Sequence, residues 1–234
     1  MCNGAIWGQN VLLRRSLYDP QDALSMSQFF EIHPQNPQLR LIRRAVDIIR
    51  EGGVVVYPTD SCYAIGCHIG DKRAMDRIAR IRNINNKGNF FTLLVRDLSE
   101  IATYARLDNS TYRVIKAHTP GPYTWILRAT AEVPRRLQHP KRKSIGMRVP
   151  EHPITQMLLE ELGEPMLTST LVLPGDDMAM TDPEEMRERL QHQVDLVIDG
   201  GACGRELTTI ISFESGAMEV LREGKGISSA FAEA

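Results

Sequence analysis

Between residues 39 and 58 the chain changes its hydrophobic period, and that change limits the folds open to it. Leu39, Ile42, Val46 and Ile49 recur at the spacing of one helix face, and Gly52-Gly53 stop the helix. Val54-Val55-Val56-Tyr57 follows at once, a β-branched run ended by Pro58 that reads as a buried strand. A helix with one apolar face and a buried strand cover each other in a layered α/β arrangement. The same signals continue downstream. Asp71 can cap a helix that buries Met75, Ile78 and Ile81, and Asp97 with Glu100 forms a capping box. Ile154, Met157, Leu158 and Leu162 mark a helix that Gly163 ends, and Asp182, Pro183 and Glu185 start another. Strands are expected over residues 89–95, 123–129, 145–149, 166–173, 194–198, 207–213 and 218–222. Alternation at first and strands later predict one α/β domain with a mixed sheet.

Composition narrows the classes. The 234 residues are 42% hydrophobic and 24% charged, enough for a single globular core and unlike a disordered chain. No apolar run approaches the roughly 20 residues of a membrane helix, so no membrane partner is expected. Ala5-Ile6-Trp7 and Val11-Leu12-Leu13 are too short for a secretory core, and Arg14 and Arg15 give only weak transit-peptide character. Residues 1–27 read as an N-terminal extension, with Met26 a possible start; 28–226 form the domain and 227–234 a tail. Cys2, Cys62, Cys67 and Cys203 are too few and scattered for a disulfide framework, and read as thiols of a reducing, cytoplasmic compartment.

Three features could carry chemistry. The loop Tyr57-Pro58-Thr59-Asp60-Ser61 follows a strand, where open α/β sheets bind ligands; it is also compatible with an ordinary capped turn. Two stretches are basic without an acid. Residues 77–96 hold Arg77, Arg80, Arg82, Lys87 and Arg96, and residues 134–148 hold Arg135, Arg136, Lys141, Arg142, Lys143 and Arg148. With a net charge of only −1, this segregation suits a cleft for a polyanion such as ATP, pyrophosphate or RNA, although solvated surface faces give the same pattern. Arg80 and Arg82 could converge on one ligand if the helix ends between them and Asn83. Thr124, Thr168-Ser169-Thr170 and Thr208-Thr209 place hydroxyls on strands, as binding groups or as plain β-formers. Phosphate-loop, dinucleotide and zinc-protease motifs are absent, and no metal site is expected.

Taken in order, several segments resemble the YrdC-like (L-threonylcarbamoyladenylate synthase) family, and more closely its YciO branch. They are Tyr57-Pro-Thr-Asp-Ser61 with Tyr63-Ala-Ile-Gly-Cys67, Arg80-Ile-Arg82, Pro120-Gly-Pro-Tyr-Thr-Trp125, Gly146-Met-Arg-Val-Pro-Glu-His-Pro153, Thr168-Ser-Thr170, and Leu207-Thr-Thr-Ile210 with Leu221-Arg-Glu-Gly224. The resemblance spans roughly residues 28–226. It implies a twisted mixed sheet flanked by helices, with a positively charged concave surface. It also implies synthesis of threonylcarbamoyl-AMP from threonine, bicarbonate and ATP with release of pyrophosphate, for the t6A modification of tRNA. Magnesium would come with the phosphates.

Carried over by motif, Thr59, Ser61 and Arg148 would hold threonine or its carbamate, and Arg80 and Arg82 the triphosphate. Thr124, Ser169, Thr170, Thr209 and Arg222 would line the nucleotide site. Arg135, Arg136, Lys141, Arg142 and Lys143 would form a surface for RNA. The catalytic branch carries Lys-x-Arg and Ser-x-Asn where this chain has Arg80-Ile81-Arg82 and Thr170-Leu171-Val172. Lys87 could supply the displaced ammonium. The altered signature leaves two other functions open: a double-stranded RNA- or tRNA-binding protein without turnover, and an enzyme that adenylates another carbamate.

Overall fold

The computed structural model describes residues 26–84 and 91–227. The expected N-terminal arm, Lys87 and most of the expected tail lie outside these residues. In chain order the elements are β1 (Gln28–Glu31), α1 (Leu39–Arg50), β2 (Val55–Tyr57), β3 (Ala64–His68), α2 (Lys72–Ile81), β4 (Thr92–Leu94), α3 (Leu98–Tyr104) and α4 (Asn109–Ala117). There follow β5 (Tyr123–Arg128), β6 (Ser144–Arg148), α5 (Pro153–Leu162), β7 (Met166–Thr170), α6 (Pro183–Leu190), β8 (Leu196–Asp199), β9 (Thr209–Ser212) and β10 (Glu219–Arg222). The strands form one mixed sheet in the order β1-β8-β2-β3-β7-β4-β6-β5-β9-β10. Among the described residues no helix is long and apolar enough to cross a membrane.

Local signals explain where the elements stop. Gly52, at φ +86°, turns the chain out of α1, and the amides of Gly52 and Gly53 reach back to Ile49 O and Ile48 O. Asp71 caps α2 by accepting from Ala74 N at 2.9 Å. Gly163 closes α5 in the left-handed region. Asp97 accepts from Ser99 N and Glu100 N, while Glu100 accepts from Arg96 N, one residue earlier than a capping box requires. At α6, Asp182 takes Glu184 N, and Glu185 pairs with Arg189 instead of reaching back to the cap.

Several strands are shorter than the sequence pattern predicts; β4, for instance, has three residues. Leu39, expected on the buried face, is exposed in the first turn of α1. Three elements carry no sequence signal strong enough to foresee. β1 is a short edge strand held by parallel pairing to β8. β3 contains Gly66 and Cys67 and is a strand because β2 and β7 flank it. α4 is capped by Asp108 and buries only Thr111 and Ile115.

The register aligns residues into rows across the sheet. The row Cys67–Leu167–Leu93–Met147–Trp125–Ile211 is apolar throughout. It belongs to the core that Ile78 of α2, Ile101 of α3, Ile115 of α4 and Leu190 of α6 cover. The opposite face carries the row Leu196–Val55–Gly66–Thr168–Thr92–Gly146–Ile126–Ser212. Its first members lie under α1 and α5, where Ile42, Val46, Ile49, Ile154, Leu158 and Leu162 form a second core. From Thr168 onward the row is small and polar except for Ile126, and there the helix layer of the described residues ends.

Candidate functional site

The uncovered part of this face is the floor of a cleft of about 350 Å³, within the size range of small-molecule sites. Thr92, Thr124, Ile126, Gly146, Thr168 and Ile210 line it. At its boundary with the second core, Tyr57 reaches from β2 to β7, donating to Thr168 Oγ1 at 2.7 Å. The ring passes over β3 at Gly66, where a Cβ would lie 2.8 Å from the Tyr57 hydroxyl, so only glycine leaves it room.

Three arginines enter the cleft from separate elements, α2, β10 and β6. Arg82 caps the C-terminus of α2; its Nη1 donates to Ser169 Oγ and its Nε to the Val172 carbonyl at 3.2 Å. Arg222, at the end of β10, grips the Thr208 carbonyl through Nε at 3.1 Å and Nη2 at 2.8 Å. The Thr208 hydroxyl in turn lies 2.8 Å from that of Thr124. Burial lowers the proton affinity of both guanidiniums. Held by neutral partners, each keeps its charge for a ligand.

Arg148, at the end of β6, differs. It pairs with the Asp60 carboxylate and donates to Thr59 Oγ1 at 3.3 Å, and both charged side chains are only 9% exposed. Asp60 Oδ2 and Arg148 Nε are buried without a partner among the described residues. A buried pair with unmet polar atoms is poor stabilisation and suits a ligand that completes it.

The loop after β2 is shaped by Thr59. Its hydroxyl donates to Cys62 O at 2.6 Å and accepts from the amides of Ser61 and Cys62. That single proton is therefore spent within the loop, and Thr59 sets the loop's shape. Cys62 lines the cleft, and burial raises its thiol pKa.

At the far end stand His139, Arg142, Ser144 and Glu214. Burial pushes the Glu214 carboxyl up, but hydrogen bonds from Ser144 and from Arg142 at 2.7 Å outweigh it and hold the pKa below its usual range. His139 Nδ1 accepts from the Lys141 and Arg142 amides, which leaves the proton of the neutral ring on Nε2. Four arginines thus face one carboxylate along the cleft lining. Among the described residues no group of three His, Cys, Asp or Glu could hold a metal ion.

Comparison with known proteins gives the family and the fold. Residues 47–224 match the model of the Sua5, YciO and YrdC proteins, a family described as "Telomere recombination". The chain belongs to this family. It is 58% identical to Escherichia coli YciO over 201 residues, 86% of this chain and 97% of the relative. The crystal structure of E. coli YciO superposes with a TM-score of 0.85 at 57% identity, covering 88% of this chain and all of that one. A threonylcarbamoyl-AMP synthase of Vibrio vulnificus is 27% identical over 187 residues, 78% of this chain and 98% of the relative.

The structure brings Arg82, Arg148, Arg222, Thr124, Ser169 and Thr170 together along one cleft, with Thr59 and Ser61 buried behind it. Arg80 does not join them: it is exposed on α2, because the helix continues to Ile81 and only Arg82 turns off its end. Thr209 is buried outside the cleft lining and holds the chain at Gly224 and Gly226, while its neighbour Thr208 meets Arg222. The sequence offers a threonine pair and no means of choosing between its members. The basic stretches divide. Arg77 pairs with Asp195 beside β2, Arg96 with Asp97 and Glu100, and Arg136 donates to the Gly70 carbonyl. Arg142 reaches the cleft, while Arg135, Lys141 and Lys143 are exposed outside its lining. Sequence reasoning missed Thr92, His139, Ser144 and Glu214: Thr92 and Ser144 show only a strand alternation too common to single them out, and His139 and Glu214 lie outside the strands with no motif around them.

Proposed function

We propose that the chain makes threonylcarbamoyl-AMP from L-threonine, bicarbonate and ATP, releasing pyrophosphate. The observation that carries this reading is the convergence of Arg82, Arg148 and Arg222 on a polar, half-enclosed sheet face, in a family that includes threonylcarbamoyl-AMP synthases. In the reaction the threonine amine attacks bicarbonate and water leaves, giving the carbamate. A carbamate oxygen then attacks the α-phosphorus, and the bond to the bridging oxygen breaks as pyrophosphate departs. No covalent intermediate with the protein is needed. The chemistry asks for alignment and for cations around the phosphates.

Arg82 and Arg222 serve as the phosphate grips, since their charges are not neutralised by a carboxylate. Arg148, Asp60 and the Thr59 loop hold the amino-acid end. Magnesium arrives with the triphosphate and adds to the charge neutralisation. The altered signature fits this division. With Arg80 turned away from the cleft, Arg222 joins Arg82 as the second cation in place of the catalytic branch's lysine, and at Val172 the backbone carbonyl, not the side chain, orients Arg82.

The test is pyrophosphate release from ATP with magnesium and bicarbonate, with and without L-threonine, in the wild type and in Arg82→Ala. Release that needs threonine and falls about 10²–10³-fold in the variant is the expected result. ATP binding by calorimetry with no threonine-dependent release would overturn it.

A further inference from the structure

The chain after β10 runs as a strap against Leu207 and Thr209, next to the Leu207, Thr208 and Arg222 of the cleft lining. Thr209 Oγ1 donates to Gly226 O at 2.6 Å and accepts from Gly224 N at 3.0 Å, and Lys225 N bonds Leu207 O at 2.8 Å. Neither glycine tolerates a side chain: a Cβ would lie 2.3 Å from Leu207 O at Gly224 and 2.3 Å from the Tyr123 ring at Gly226. Lys225 is therefore presented from a fixed backbone between them. Its side chain spans to the loop after β2, where Nζ donates to the Asp60 carbonyl. No carboxylate among the described residues forms an ion pair with it. An ammonium has three N–H donors, and the carbonyl takes one.

The same Asp60 carries the buried, unpartnered Oδ2, and its carboxylate neutralises Arg148. One residue thus carries an unmet acceptor on its side chain and receives, at its backbone carbonyl, an ammonium that no carboxylate pairs with among the described residues. A zwitterion has the complementary charges. We infer that Lys225 is the carboxylate anchor of an amino-acid subsite: Nζ holds the α-carboxylate, while Asp60 Oδ2 takes an N–H of the amino group. Lysine suits this task because its compact charge can leave the carbonyl for the ligand without moving the strap. The assignment deepens the reaction proposed above and rests on the same end of the cleft.

Binding of L-threonine and of L-threoninol, which has a hydroxymethyl group in place of the carboxylate, tests it by calorimetry. The wild type should prefer threonine by about tenfold or more. Lys225→Gln should lose about that factor for threonine and nothing for threoninol, with ATP affinity unchanged, and Lys225→Arg should restore most of it. Unchanged threonine binding in Lys225→Gln, an equal loss for both ligands, a parallel loss of ATP affinity, or a wild type that binds no threonine would each overturn the assignment. Turnover separates the two proposals. Carboxylate-selective binding without pyrophosphate release would sink the reaction and keep the anchor. Threonine-dependent release with an unchanged KM for threonine in Lys225→Gln would do the reverse.

Discussion

The two halves of one sheet face are built on the same backbone and do opposite work. Under α1 and α5 the row runs through Leu196 and Val55, and the helices complete a dry core. Beyond Gly66 the same row runs through Thr168, Thr92 and Gly146, and no helix among the described residues covers it. Alternation along each strand is identical in both halves; the difference is side-chain size and polarity at equivalent positions. Strands β7, β4, β6 and β5 still bury their other face throughout, so the sheet stays intact while one face opens. The site is thus an interruption of the helix layer, not an addition to the fold.

Substitutions on each side should show how sharp that division is. Arg148→Ala has the largest expected effect. It strands Asp60 in a buried place and should cost about 3–5 kcal/mol in urea unfolding, while also abolishing amino-acid binding. A loss under about 1 kcal/mol would mean that water reaches the pair. Leu158→Ala, in the covered half, should cost about 2–5 kcal/mol and leave turnover per folded molecule unchanged; a matching fall in turnover would show that the two halves are mechanically linked.

Thr168→Val stands on the border. It removes the acceptor of the buried Tyr57 hydroxyl and should cost about 1–3 kcal/mol, read by the same unfolding curves. Glu214→Gln gives the smallest and most specific signal. The Glu214 carboxyl titrates below its usual range in the folded chain, so its contribution is complete near neutrality. That contribution is lost as the pH falls through the depressed value. The stability gap between wild type and variant should therefore be widest near neutral pH and close in acid. A gap that stays constant with pH would remove the carboxylate from that account.

Much of this was readable from the chain. Helix α1 with its glycine stop, the buried strand β2, the caps Asp71, Asp97 and Asp182, and the Gly163 terminus all follow from signals within a few residues. These are short-range effects, set by backbone conformation and by side chains that satisfy nearby amides. The concentration of arginine and short hydroxyls was equally plain. Which arginines serve was not. Arg80 and Arg82 differ only in that α2 ends between the two, and Thr208 and Thr209 only in strand parity.

β3 is a strand because its neighbours pair with it, and Glu214 meets Arg142 from 72 residues away. Lys225 finds the Asp60 carbonyl across 165 residues, on a strap fixed by two glycines. The sequence by itself determined the layers and the caps, because those depend on local period and on nearby side chains. The tertiary structure alone decided the membership of the site, because that depends on which face each strand residue occupies and where the covering helices stop.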